Sequence, residues 1–157
     1  MKMKKIKSFT IDHTKLKKGL YISRVDRTGL FSYATTFDLR MKTPYVDVPL
    51  NPATAHTIEH CLATYLRNRM SDVLYVGPMG CMTGFYVILK GRKKASYLLP
   101  FLLEAFDWII KTNTVPGATK KECGNYLFMN LSDARKEASA YMDFLLTEYV
   151  SNIAASL

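Results

Sequence analysis

His56 and His60 stand four residues apart in the stretch HTIEH, with Glu59 directly before the second histidine. On a helix, residues at this spacing lie one above the other on the same face, so both imidazoles aim at one point and supply half of a metal site. Glu59, three residues after His56, borders that face and can hydrogen-bond a metal-bound water or substrate without being a ligand. The pattern H-x-x-E-H is the reversed zincin signature, and it also arises where His and Glu merely decorate a wet helix face. A structural zinc site wants four protein ligands, commonly with closely spaced cysteine pairs, and the chain contains no C-x-x-C. A third protein ligand with an open fourth position fits better, which is the catalytic arrangement.

Four residues compete for the third place: Cys123, Cys81, Cys61 and His13. Cys61 follows His60 directly, so its side chain points about 100° away around the helix and reads as a small core residue. Cys123 lies in a Gly-containing segment before the last helix, where a backbone bend can present its sulfur. Cys81 sits in a tight turn entering a strand, where a thiol can project into a cleft. Two histidines and one thiolate suit zinc or another divalent ion of borderline softness, such as Fe(II). A remaining cysteine near that cation would have a lowered pKa and could carry protons.

The elements that must position these groups follow from periodicity. After Pro52, Thr54 is a candidate N-cap for a helix through about Arg69, with Ile58, Leu62, Tyr65 and Leu66 spaced to cover a core. Ser96 is a candidate cap for a second helix carrying Leu99, Leu102, Leu103, Phe106 and Ile110. Residues 134–153 form a third, with Tyr141, Leu145, Tyr149 and Ile153 along one stripe. These stripes read as core. Aromatic and β-branched runs at 20–25 and 30–39, separated by Asp26, Thr28 and Gly29, suit a hairpin. Runs at 73–76 and 84–89, joined by a Gly77-Pro78-Met79-Gly80 turn, suit two more strands. The expectation is an α+β domain of two layers, a mostly antiparallel sheet with helices packed on one face.

With 157 residues, 48% hydrophobic and 22% charged, and with no repeat or low-complexity tract, the chain reads as one globular domain over 1–157. The lysine-rich start lacks an apolar stretch behind it, and no apolar run reaches the ~20 residues that span a bilayer. Three cysteines, an odd count, argue for reduced thiols. The expected location is therefore cytoplasmic, with no membrane partner. Twenty-two Lys and Arg against thirteen Asp and Glu give +9, but the charges are dispersed over loops and element ends, which reads as solvated surface and not as a nucleic-acid footprint.

HTIEHCLATYLRN, GPMGCMTGFY and ECGNY, together with SFTIDH and FDLR, resemble the S-ribosylhomocysteine lyase (LuxS) family from about Ser8 to the C-terminal helix. The resemblance implies a LuxS/metallohydrolase-like fold and a homodimer with its active sites at the subunit interface. It implies cleavage of S-ribosylhomocysteine to homocysteine and 4,5-dihydroxy-2,3-pentanedione, the precursor of autoinducer-2. Matched motif by motif, it makes His56, His60 and Cys123 the ligands of one divalent metal, natively Fe(II) and replaceable by Zn(II) or Co(II). It makes Cys81 and Glu59 the acid/base pair, and Ser8, His13, Arg40 and Arg67 substrate contacts. From the residues alone, Ser8 equally caps a turn, His13 packs at a loop, and Arg40 pairs with Asp38 or Asp47. Cys61, Met82, Tyr75-Val76-Gly77 and the Met-Lys-Thr-Pro after FDLR depart from the family's usual residues. Two other readings compete: a metallopeptidase of the H-x-x-E-H class, and a basic nucleic-acid-binding domain in which the histidines are incidental.

Overall fold

Alternating apolar and polar residues, rich in β-branched and aromatic types, produce four strands: β1 (Gly19–Arg27), β2 (Tyr33–Arg40), β3 (Val73–Pro78) and β4 (Gly84–Lys90). The computed structural model describes residues 3, 4, 6 and 9–154. The strands pair antiparallel throughout, in the order β1-β2-β4-β3. Both expected hairpins are present. The second turn is shifted, however: Gly77 and Pro78 pair with Tyr86 and Phe85 as the end of β3, and the turn falls at residues 79–83. Proline is tolerated there because β3 is an edge strand, where a missing N–H costs no ladder bond.

The sheet's two faces differ in kind. Phe37 and Leu39 of β2 and Phe85, Val87 and Leu89 of β4 are fully buried on one face, against the helices. The opposite face carries Thr36, Asp38 and Arg40, paired in register with Ile88, Tyr86 and Gly84. At Gly84 an added Cβ would stand 2.0 Å from the Leu39 carbonyl oxygen, so only glycine lets β4 approach β2 this closely where it leaves the 79–83 turn.

The helices are α1 (Pro52–Arg69), α2 (Ala95–Lys111) and α3 (Leu131–Ala154). Asn51, not Thr54, caps α1: its side chain accepts from the Ala53 N–H at 2.9 Å, because Pro52 takes the first helical position, where proline needs no donor. Thr54 is buried instead. Ser96 does not cap α2, which starts one residue earlier, after Lys94, without a side-chain cap. The buried stripe of α2 is Leu98, Leu102, Ala105, Phe106 and Ile109, so the expected Leu99, Leu103 and Ile110 flank it, partly buried. Helix α3 begins at residue 131 because Asn130 bonds the Asp133 N–H at 3.0 Å while its amide donates to the Asp133 carboxylate, a reciprocal cap. Tyr141 and Leu145 are buried as expected, Tyr149 is 48% exposed, and the Ile153 side chain lies outside the described set. Ile58, Cys61, Leu62 and Leu66 of α1 complete the core, and burial pushes the Cys61 thiol up to about 11.

Tyr141 links both layers. Its ring meets Phe106 edge-to-face at 5.4 Å, and its buried hydroxyl donates to the Gly19 carbonyl at 2.7 Å, holding the first residue of edge strand β1. Tyr141→Phe leaves that carbonyl without its donor and should cost about 1–2 kcal/mol. Thermal unfolding should show a drop of about 2–8 °C, and hydrogen exchange should rise in β1 before it rises in β2.

Candidate active site

Helix α1 places His56 and His60 one turn apart, with ring centroids 4.7 Å apart and planes at 83°. Each ring is fixed by a backbone carbonyl: His56 Nδ1 bonds Phe128 O at 2.8 Å, and His60 Nδ1 bonds Pro116 O at 2.8 Å. A carbonyl only accepts, so each Nδ1 donates in this bond and Nε2 is the ring nitrogen left to act as a ligand. The two carbonyls belong to the connection from α2 to α3, and the same connection carries Cys123, whose sulfur lies 3.5 Å from His56 Nε2. A further bond, Asn130 N–H to Thr57 Oγ1 at 2.8 Å, ties its end to α1. Gly117 has φ 67°, and a Cβ there would stand 3.3 Å from His60 Nδ1, so glycine lets this backbone lie against the imidazole.

His56, His60 and Cys123 form a group whose ligand atoms all lie within 4.8 Å of one another. Metal–nitrogen and metal–sulfur bonds of about 2.0 and 2.3 Å at a tetrahedral angle put the two donor atoms about 3.5 Å apart. The observed 3.5 Å fits that spacing. The donor set and geometry therefore suit a three-ligand cation site. Glu59 borders it with His60, Pro116, Gly117 and Glu122 around an open hollow, and its carboxylate has no side-chain partner among the described residues.

Cys81 belongs to a separate cleft of about 320 Å³, lined by His13, Tyr45, Asp47, two prolines, Cys81 and Thr83, within the size range of small-molecule sites. The 79–83 turn is held by Met82 N–H to Met79 O and Met79 N–H to Gly84 O, both at 2.9 Å, with Met82 at φ 56°. Beneath the thiol, Arg40 donates through Nε and Nη2 to the two Asp38 oxygens at 3.1 and 2.5 Å, and through Nη1 to Thr83 Oγ1 at 2.5 Å. Cys81 Sγ lies 3.0 Å from Thr83 Oγ1 and 3.8 Å from Arg40 Nη1. Partial burial alone would push this thiol up. Hydrogen bonds from the Thr83 hydroxyl and backbone, with the Arg40 charge, outweigh it and hold Cys81 below the ordinary cysteine value. Burial likewise raises the Asp38 carboxyl against the pull of Arg40, whose guanidinium stays charged.

Of the expected substrate contacts, His13 lines this cleft, with Nδ1 on the Ile11 carbonyl. Arg40 is buried behind the cleft wall, and it pairs with Asp38; Asp47 instead accepts the Thr43 N–H. Arg67 lies in the last turn of α1, bonded to the Leu74 carbonyl, outside both clefts. Ser8 falls outside the described residues. Tyr75 lines a third hollow on the open sheet face, with Thr36, Tyr86 and Ile88. Thr83 and the Pro116 and Phe128 carbonyls were not singled out from sequence. Thr83 was legible in GPMGCMTGFY as a hydroxyl two residues beyond the thiol, whereas a carbonyl is common to every residue and carries no sequence signal.

The family model for S-ribosylhomocysteinase (LuxS) matches residues 6–151. The chain belongs to this family. A relative from Desulfotalea psychrophila named S-ribosylhomocysteine lyase is 49% identical over 97% of this chain and 95% of its own. Relatives of the same name from Finegoldia magna and Clostridium beijerinckii are 45% and 44% identical, over 91% and 92% of this chain and 92% of each of theirs. The peptidase and nucleic-acid readings gain no support from family or fold.

Gly117→Ala should weaken metal binding about 10–100-fold, the usual effect of disturbing the groups that orient a ligand. Chelator competition on the metal-loaded protein measures this, and an unchanged affinity would show that the Pro116–Gly117 backbone does not orient His60.

Proposed function

We propose that this protein cleaves S-ribosylhomocysteine to homocysteine and 4,5-dihydroxy-2,3-pentanedione, as a carbon–sulfur lyase serving autoinducer-2 synthesis and the methyl cycle. The observation that carries the reading is the grouping of the His56 and His60 imidazoles and the Cys123 sulfur, with ligand atoms within 4.8 Å of one another, in a chain of this family. His56, His60 and Cys123 would hold one divalent ion, Fe(II) natively with Zn(II) or Co(II) as substitutes, in keeping with a donor set of two imidazoles and a thiolate. When bound, it supplies Lewis-acid stabilisation of the charge that develops on sugar oxygens. We group the two-layer arrangement with the LuxS/metallohydrolase-like folds, as one domain.

The remaining chemistry falls to side chains. A C–H beside a carbonyl is acidic enough to lose its proton only to a well-placed base. Cys81, as thiolate, takes that proton and returns it to the neighbouring carbon. Two such rounds move the carbonyl until it stands β to the thioether carbon, where elimination expels homocysteine. Glu59, without a competing partner, carries protons among the oxygens and assists that elimination. His13, with Ser8 from the same N-terminal segment, is assigned to the ribose hydroxyls. Arg40 is assigned to the thiol it underlies. No role is assigned to Arg67.

Cys81 lines one hollow, His60 and Glu59 line another, and the two share no residue. We therefore place the active site at the interface of a homodimer, with the thiol half from one subunit and the metal half from its partner. The open sheet face, with Tyr75 at 47% and Tyr21 at 39% exposure, offers apolar area for such pairing. Three free thiols and no disulfide suit a cytoplasmic location.

Cys81→Ala should keep one metal per chain and lose ~10³-fold in thiol release from S-ribosylhomocysteine; an equally fast variant removes Cys81 from the mechanism. Inactive Cys81→Ala and Glu59→Gln proteins, mixed equally after subunit exchange, should regain about a quarter of wild-type activity, since half the dimers carry one intact site. No recovery despite exchange would place both halves in one chain.

A further inference from the structure

We propose that Thr83 is a positioning residue for Cys81, its hydroxyl locked by Arg40 into donating to the sulfur. The kinetic consequence rests on the lyase reading; the hydrogen-bond direction rests on the geometry and on the sulfur being a thiolate, which has no proton to donate. A guanidinium has five donors and no acceptor. Arg40 Nη1, 2.5 Å from Thr83 Oγ1, therefore uses an acceptor lone pair of the hydroxyl, and the hydroxyl proton turns away from it. The other polar atom bonded to that oxygen among the described residues is Cys81 Sγ, at 3.0 Å.

Arg40 has no freedom to release this arrangement. Its other two bonds are spent on Asp38, and Arg40, Asp38 and Thr83 are 2%, 5% and 6% exposed. The guanidinium itself reaches the sulfur only at 3.8 Å, a long contact, so its influence passes chiefly through the hydroxyl. A hydroxyl fixed as donor bonds the thiolate more strongly than the thiol, because bonds to charged acceptors are the stronger ones. It also aims the sulfur's remaining lone pairs into the cleft, where a substrate proton is to be taken and returned.

The charged and titratable groups around the sulfur come from four places. Asp38 and Arg40 stand on β2, Tyr86 on β4, His13 on the N-terminal segment and Asp47 on the connection from β2 to α1. A substitution confined to Thr83 changes none of these residues, but Thr83→Val removes the acceptor of Arg40 Nη1 together with the donor to the sulfur, and Thr83→Ser keeps both.

The test is alkylation of the metal-loaded protein by iodoacetamide across pH, with modification at Cys81 read by peptide mass spectrometry, for wild type, Thr83→Val and Thr83→Ser. Removing the hydroxyl should move the alkylation midpoint upward by about one pH unit or more. The rising limb of kcat should move the same way, with KM within about twofold. Thr83→Ser should restore wild-type behaviour in both. A Thr83→Val midpoint equal to wild type, or a Thr83→Ser midpoint shifted as far as the valine variant, overturns the proposal. Should Thr83→Val fail to fold, Thr83→Ala is read by the same criteria. If wild type releases no thiol from S-ribosylhomocysteine, the lyase reading fails while the alkylation midpoints still decide the role of Thr83.

Discussion

The candidate metal site depends on the connection between α2 and α3 lying flat against one face of α1. Pro116 and Phe128 carbonyls each take an imidazole proton, Asn130 bonds Thr57, and Cys123 enters between these anchors. A histidine pair alone has two tautomers per ring and free rotation about each side chain. The two carbonyls remove that choice, so orientation is fixed before any cation arrives. Because the connection spans two helices of the core, packing of α2 and α3 against α1 also sets the sulfur-to-nitrogen distance. The core is thus part of the coordination geometry.

The second half is governed by a different kind of constraint. Asp38 and Arg40 sit two residues apart on β2, on the same side of the strand, and are almost wholly withdrawn from water. Such a pair adds little net stability, because desolvating both charges offsets most of their attraction. What it supplies is direction: two bonds to one carboxylate fix the plane of the guanidinium, and the third nitrogen then points to the Thr83 and Cys81 side of the turn. A lysine could hold the charge but not the plane.

Legibility from sequence divided along these lines. His56, His60, Cys61 and the core faces of α1 and β2 obey periodicities of 3.6 and 2, and a reader of the sequence finds them. The competition among Cys123, Cys81, Cys61 and His13 for the third ligand place could not be closed by spacing, because Cys123 reaches α1 across 67 residues of chain through backbone bonds. Helix starts are ambiguous in the sequence where two candidates stand close together: Pro52 selects Asn51 over Thr54, and Asn130 with Asp133 starts α3 early. The turn residues Gly77 and Pro78 were drawn into β3, where pairing with β4 outweighs local turn preference. Arg40 reads as a cleft residue by motif, yet alternation along β2 and the register with Gly84 carry it beneath the thiol.

The proposed sharing of one active site between two subunits accounts for apolar residues that a lone chain leaves in water. Tyr45, Val46 and Val48 flank the thiol cleft at 85%, 78% and 82% exposure, and Leu127, beside the Phe128 carbonyl on His56, is 79% exposed. Apolar side chains exposed singly are ordinary, but gathered at the rims of both clefts and on the open sheet face they invite association. Closing a second chain over them would exclude water from the place where a carbon-bound proton has to be removed, and there the Thr83 hydroxyl would keep Cys81 in the thiolate form in place of the lost water. The same contact that hides the apolar rims would bring Glu59 and the imidazoles across to Cys81, so assembly and catalysis become one event.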